Sequence, residues 1–326
     1  HEYGDDGDYR VTVTVTDDDG AAGNATVTVA VTNRAPTVAI DMNGTVTLAE
    51  ADAFLATAGE PRNHTATASD PGSDDLTFAW TPGPRETYYN DGDGPDPPDS
   101  PGGTYPFGRN DTAALNFTDP GVYKVSVTVT DDDGANATDS VTAVVTGDDE
   151  GLRGVAYWRE AYDGDKPTEY SNATLRAFRN VTDVGSAVFG ERVAVDSRAA
   201  VRGVLAANGT TRATARARAL AAWFNFASGR VGWSEDVDTD GDGTGDRAFG
   251  DLIGEVGAIL SDSEATTEEL RRAKDLAGAA NGRNATRSTE TDAQTIATGQ
   301  SGFGLVAAAL ALVIVAAAIA ARRRGA

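Results

Sequence analysis

The sequence predicts a multidomain chain: an all-β part built of short antiparallel strands, then a mostly α-helical part, then a C-terminal transmembrane helix. Three observations carry this. Residues 7–32 and 121–146 repeat one alternating pattern of valine and threonine, alanine and arginine recur at helical spacing from Leu152, and Phe303 to Ala321 contains no charge.

In GDYRVTVTVTDDDGAAGNATVTVAVT (residues 7–32), Tyr9, Val11, Val13 and Val15 alternate with Arg10, Thr12, Thr14 and Thr16. Alternate side chains share one face of a strand, so this strand has one apolar face. Asp17 to Gly20 supplies turn residues, and Val27, Val29 and Val31 continue the inner face on a partner strand. GVYKVSVTVTDDDGANATDSVTAVVT (residues 121–146) matches in register. Both copies therefore read as antiparallel hairpins, with the turns at Asp17–Asp19 and Asp131–Asp133 expected to face solvent. Only the second copy has candidate strands before it, at Thr37–Ile40, Gly44–Leu48, His64–Ser69 and Leu76–Trp80. A single hairpin is not stable alone, so residues 1–33 read as the C-terminal hairpin of a truncated domain. The start at His1, without methionine or signal peptide, fits a fragment or processed form.

Leu76, Phe78 and Trp80 project to one side of LTFAW, and Asp119, Gly121 and Tyr123 form D-x-G-x-Y, repeated at Asp5, Gly7 and Tyr9. A core indole and a tyrosine corner at these places belong to an immunoglobulin-like sandwich. With APTV at Ala35–Val38, DPGVYKV at Asp119–Val125 and VTVTDDDGA at Val127–Ala135, residues 35–147 resemble the PKD domain, an extracellular immunoglobulin-like module. The chain departs from the PKD pattern after Trp80, where a long segment rich in proline, glycine and aspartate replaces a short turn. It reads as a mobile loop, the competing reading giving Tyr88, Tyr89 and Tyr105 to a sugar- or protein-binding patch.

GDDEG (Gly147–Gly151) reads as a linker, and residues 152–282 as a small, mostly helical module. Thr211 to Phe226 places Ala215, Ala219, Ala222, Trp223 and Phe226 on one stripe, with Gly229 as a C-terminal stop. Phe249, Leu252, Ile253, Val256, Ile259 and Leu260 mark another amphipathic helix, and Thr266 with Glu269 forms a capping box before a third. Between them lies DVDTDGDGTGDRAFGD, Asp236 to Asp251. Calcium takes six to eight oxygens about 2.4 Å away, which carboxylates at alternate loop positions can supply. Asp238, Asp240 and Asp242 are the candidate ligands, with the Thr244 carbonyl and Asp246; an alternative register begins at Asp236. The pattern resembles the DxDxDGxxD calcium repeat of thrombospondin type 3 and dockerin modules. Neither register has a carboxylate at its twelfth position, so a closing ligand would come from Asp251, Glu255 or elsewhere.

Residues 283–302 form a polar tether. Phe303 to Ala321 as a helix spans roughly 28 Å, close to the hydrocarbon thickness of a bilayer. Arg322, Arg323 and Arg324 follow directly, so residues 322–326 are expected in the cytoplasm and the bulk of the chain at the cell surface. With SGFG before the span, this end resembles the PGF-type sorting signal of archaeal surface proteins, which implies an archaeosortase-type processing enzyme as a partner. Ser301 stands where that signal has proline, which leaves a plain membrane anchor as the alternative.

Fifty acidic residues against 27 basic give a net charge of -23, which excludes nucleic acid as a partner. The acidic, lysine-poor, cysteine-free composition resembles that of proteins from salt-loving archaea. Asn24, Asn43, Asn63, Asn110, Asn116, Asn136, Asn172, Asn180, Asn208 and Asn284 each open an N-x-T glycosylation triplet. Catalytic patterns are missing. There is no cysteine, no G-x-S-x-G and no H-E-x-x-H, and His64 reads as a lone exposed histidine inside a sequon. Tyr157, Trp158, Tyr162 and Tyr170 near Glu160 and Asp163 fit core better than a carbohydrate site. The expected function is a non-catalytic cell-surface protein contacting surface glycans or proteins, for adhesion or envelope interaction. The alternative is the accessory and anchoring region of a surface hydrolase whose catalytic domain lies upstream of His1.

Overall fold

The structure, a computed structural model, describes residues 2–49, 52–90 and 103–282. The expected tether, membrane span and basic tail lie outside the described residues, as does Asn284. No helix among the described residues is long and apolar enough to cross a membrane.

The two repeats fold as the same object. β1 (Gly7–Thr16) pairs with β2 (Ala22–Val31), Gly7 opposite Val31. After β3 (Thr37–Ile40), β4 (Thr45–Thr47), β5 (Asp52–Thr57), β6 (Arg62–Asp70), β7 (Leu76–Thr81), β8 (Arg85–Tyr88) and β9 (Phe107–Leu115), the second hairpin comprises β10 (Gly121–Thr130) and β11 (Asn136–Thr146). There Gly121 stands opposite Val145, the same offset as in the first copy. The turns also coincide. Asp17 N donates to Ala21 O at 3.0 Å and Asp131 N to Ala135 O at 3.0 Å, while Gly20 and Gly134 take φ of 87° and 88°. That left-handed conformation suits glycine, which closes both turns.

The second hairpin belongs to a two-layer β-sandwich with immunoglobulin-like strand order. One sheet runs β4-β5-β11-β10-β7-β8 and the other β3-β6-β9. The only parallel pair among the described strands is β5 with β11. Val125, Val127 and Val129 are fully buried against Ala66, Ala68, Ala113 and Leu115 of the facing sheet. Val13 and Val15, their counterparts in the first hairpin, are 58% and 67% exposed because no second layer covers them among the described residues. Trp80 is buried, as its position in LTFAW requires, and its Nε1–H donates to Asp111 Oδ2 at 2.7 Å; the Tyr88 hydroxyl donates to Asp111 Oδ1 at 2.7 Å. Both tyrosine corners close. Tyr123 donates to the Asp119 carbonyl at 2.8 Å and Tyr9 to the Asp5 carbonyl at 2.9 Å.

The segment read as a mobile loop contains two strands at its ends, β8 and β9. Thr87 on β8 meets Thr77 across the sheet at 2.9 Å, and β9 pairs along its length with β6. Asn90 joins the two flanks, its amide donating to the carbonyls of Ser73 and Thr104.

Helices follow: α1 (Val155–Ala161), α2 (Asn172–Gly185), α3 (Ala187–Glu191), α4 (Arg198–Ala206) and α5 (Thr211–Ala227). A short ladder of β12 (Asp236–Val237) and β13 (Arg247–Ala248) precedes α6 (Phe249–Ser261) and α7 (Thr267–Ala279). The capping box is present, Glu269 N donating to Thr266 Oγ1 at 3.2 Å and Thr266 N to Glu269 Oε2 at 2.7 Å. α5 is buried on nearly every side from Ala219 onward, which explains its alanine content: large side chains would keep neighbouring helices at a distance. Its core is continuous with the sandwich through Leu48, Ala53 and Val144.

Gly147–Gly151, expected as a linker, is strapped down. Gly147 N donates to Ala227 O and Asp149 N to Ser228 O, both at 3.0 Å. Buried Arg230 donates to the carbonyls of Glu150 and Gly151 and pairs with Glu169 at 3.0 Å and Asp149 at 3.5 Å. A second polar staple lies deeper. Asn225, fully buried, accepts from Trp158 Nε1 and Arg153 N, both at 3.0 Å, and donates to Arg153 O at 2.9 Å. Asn225→Ala orphans those two donors, and each buried orphan costs about 1–3 kcal/mol. Urea unfolding is expected to lose roughly 2–6 kcal/mol; an unchanged midpoint would deny Asn225 this role.

Candidate metal centre

Among the described residues two places gather carboxylates. The one the sequence singled out is the turn between β12 and β13. Asp238 is buried, and its two carboxylate oxygens accept from Gly241 N at 2.6 Å and Gly243 N at 2.9 Å. Asp240 accepts from Asp242 N and Asp242 from Thr244 N, so successive Asx turns coil the chain around the acids. Asp238, Asp240 and Asp242 bring carboxylate oxygens within 4.8 Å of one another. Asp246 instead accepts from the Thr239 hydroxyl at 2.9 Å, and exposed Asp236 lies in the β-ladder. Thr244 is exposed. Of the candidates for a closing ligand, Glu255 pairs with Arg247 at 2.7 Å and with Arg272. Three of the expected side-chain ligands therefore converge, an oxygen-only set that fits calcium in kind and needs further oxygens to complete it.

The second includes the Asp131–Asp133 turn, which the sequence places in solvent. Asp17–Asp19 and Asp133 do face solvent, but Asp131 is buried and Asp132 half-buried. The end of the sandwich carrying the 131–133 turn and the 70–75 loop meets the start of the first hairpin. Asp5, Asp74 and Asp133 form one set of carboxylates within 4.8 Å, and Asp70, Asp74 and Asp131 form another. Asp5, Asp70, Asp74 and Asp131 are each at least nine-tenths buried. Some of their oxygens are satisfied. Gly72 N donates to Asp70 Oδ1 at 2.7 Å, Ala135 N to Asp131 Oδ1 at 2.6 Å, and Asn33 Nδ2 to Asp131 Oδ2 at 3.1 Å. Asp70 Oδ2 and Asp74 Oδ2 are buried with no hydrogen-bond partner. The loop closes so tightly that a Cβ at Gly72 would lie 2.5 Å from Asp74 Oδ1.

Burial lifts the carboxyls here. Asp70 is pushed from 3.8 up to about 6, chiefly by desolvation, with the charges of Asp131 and Asp5 adding to it. Asp132 is pushed up to about 6 by burial and by Asp75 and Asp5. Asp74 and Asp133 are raised as well, by burial first and then by acidic neighbours: Asp70 and Asp132 for Asp74, Asp6 and Asp132 for Asp133. Like charges in a desolvated cluster oppose ionisation.

His64 is a correction. It is buried rather than exposed, edge-on to Phe54 at 4.6 Å, and pushed down to about 4 by burial and by Arg62, so it stays a neutral core residue. Trp158 and Tyr162 are also core. Tyr88 points to Asp111, whereas Tyr105 lies against Gly4 of the first hairpin, where a Cβ would sit 2.4 Å from the ring. The acidic cluster escaped the sequence reading because its members come from three distant stretches. The tight DPGSDD run at Asp70–Asp75 was the available signal.

No protein-family model and no curated protein matches the chain. Among solved structures 85 chains match. They include protocadherin gamma B2 extracellular cadherin domains 3–6, 12% identical over 45% of this chain and 32% of that one, with a TM-score of 0.22. A PapD-like domain of human CEP192 is 11% identical over 34% of this chain and 87% of that one, TM-score 0.20. A family 123 glycoside hydrolase from Clostridium perfringens is 12% identical over 46% and 36%, TM-score 0.20. The chain thus spans about a third of the protocadherin chain it matches. At these scores the likenesses say nothing of function.

The raised carboxyls set a pH dependence for the protein in chelator. Their folded values exceed the unfolded 3.8, so their contribution to stability is full below about pH 4 and is lost as pH rises through about 6. The acidic groups facing one another are Asp5, Asp6, Asp70, Asp74, Asp75, Asp131, Asp132 and Asp133. Melting temperature of the β part in chelator is expected to fall between about pH 4 and pH 7. A rise over that range would show that the cluster is solvated.

Proposed function

We propose that this chain is a non-catalytic, glycosylated cell-surface protein that presents PKD-like β-modules and a helical module outside a membrane, for adhesion or contact with envelope proteins and glycans. One observation carries the reading. Every sequon asparagine among the described residues (24, 43, 63, 110, 116, 136, 172, 180 and 208) is exposed. The four asparagines outside sequons are all drawn in: Asn33, Asn90 and Asn281 are half-buried and Asn225 is buried.

The acceptors are unevenly placed. Asn63 and Asn110 lie on the outer face of the β3-β6-β9 sheet, opposite buried His64, Ala66, Asp111 and Ala113, and Asn116 follows at the end of β9. On the larger sheet Asn136 opens β11 opposite Thr130, on the same outer face as the Thr128 and Thr138 hydroxyls 2.8 Å apart. The apolar span 303–321 as anchor, PGF-type processing at its start, and a surface adapted to high salt complete the proposal. Calcium in the Asp238 turn stiffens the approach to α6.

External protease applied to intact cells is expected to release peptides from residues 2–282 with glycan mass on described sequons; an unglycosylated chain in the soluble interior would refute the reading. Asp240→Ala is expected to lower the melting temperature of the helical part more in calcium than in chelator, where only the hydrogen bond from Asp242 N is lost. Equal losses in both conditions would exclude a metal there.

A further inference from the structure

We propose that the junction of the first hairpin with the sandwich is a calcium centre that clamps the two together, with Asp74 shared between two adjacent cation positions. The proposal is independent of where the chain is displayed. It rests on the two overlapping ligand sets, Asp5–Asp74–Asp133 and Asp70–Asp74–Asp131, and on the state of their oxygens. Asp70 is fully buried and Asp74 is 4% exposed, yet each keeps an Oδ2 with no hydrogen-bond partner. Among the described residues no lysine or arginine pairs with Asp70, Asp74, Asp131, Asp132 or Asp133. A buried carboxylate without hydrogen bonds or counter-charge is costly, and a divalent cation supplies both the charge and the missing contacts.

The donors identify the ion. All are carboxylate oxygens, hard ligands that favour calcium or magnesium over metals drawn to nitrogen and sulfur. They come from three separate stretches: the hairpin start, the 70–75 loop and the 131–133 turn. Calcium accepts six to eight oxygens in adaptable geometry, whereas magnesium demands a near-ideal octahedron and retains its waters. Several carboxylates crowded within 4.8 Å therefore suit calcium.

The clamp also explains how the hairpin is held. Asp5 is the acceptor of the Tyr9 corner bond at 2.9 Å, so the corner fixes the backbone that carries this ligand. Asn33, at the exit of the hairpin, donates to Asp131 at 3.1 Å. A cation between Asp5 and Asp74 would tie hairpin entry and exit to the same turn.

The test uses the full chain, calcium alone as ligand, and trypsin at exposed Arg34 between β2 and β3. Calcium at about one hundred times its Kd is expected to slow this cleavage by up to about a hundredfold relative to chelator. Protection should survive Asp240→Ala, which alters only the other acidic turn. It should be lost in Asp74→Asn and weakened in Asp5→Asn, whose site lies outside the sandwich core. In chelator, Asp74→Asn should melt no lower than the parent, because removing a like charge relieves the cluster. Equal cleavage with and without calcium, protection that persists in Asp74→Asn, or a lower melting temperature of Asp74→Asn in chelator would each overturn the proposal.

Discussion

Charge withdrawn from water has to be answered by opposite charge, hydrogen bonds or a proton, and the two ends of the sandwich are organised around that requirement. At the end facing the helices the chain supplies the answer itself. Arg230, its side chain 4% exposed, reaches Asp149, Glu169, the Tyr170 hydroxyl at 2.8 Å and two carbonyls of the strap. The strap consequently behaves as part of the helical core. At the opposite end, acids from the 70–75 loop and the 131–133 turn converge with Asp5 at comparable burial, but none of Asp70, Asp74 or Asp131 meets a lysine or arginine among the described residues.

Much of the architecture was legible because it rests on short-range rules. Alternation of valine and threonine fixes which face of a hairpin is apolar, and a residue's partner across the turn follows from turn length; hence Gly7–Val31 and Gly121–Val145 share one register. The Thr266–Glu269 box and the LTFAW indole are equally local. What escaped depends on residues far apart in the chain. β8 and β9 sit within composition that favours disorder, yet β9 pairs with β6 over nine residues and β8 closes the sheet edge beside Trp80. Pairing with a distant strand overrides local propensity. The same reason hid Asp70, Asp74 and Asp131, each an ordinary turn residue when seen alone, and made His64 look exposed when its strand turns it inward against Phe54.

The repeat shows how one sequence pattern serves two environments. Val127 and its neighbours are core, whereas Val13 and Val15 carry the same pattern without a facing layer among the described residues. Hairpin geometry is nevertheless retained in both, because the corner bond from tyrosine to the carbonyl four residues earlier and the glycine-closed turn are internal to each copy. Those local contacts fix the corner that carries Asp5 where the first hairpin meets the second module.

The acidic composition does not by itself account for the crowded carboxylates. In a chain with net charge -23, dissolved salt can screen repulsion between exposed groups, since at molar ionic strength the Debye length is about 3 Å. Screening of this kind needs mobile ions between the charges. Asp70 and Asp74 are enclosed by the closed 70–75 loop, where a Cβ at Gly72 would already clash with Asp74 at 2.5 Å, so the bulk atmosphere cannot reach between them. Their repulsion is relieved by bound protons, which burial favours on both Asp70 and Asp74, or by a bound cation. A directly coordinated divalent ion, as proposed for this junction, would keep the loop closed with the acids ionised, and the stability of the junction would then follow the divalent ion rather than ionic strength.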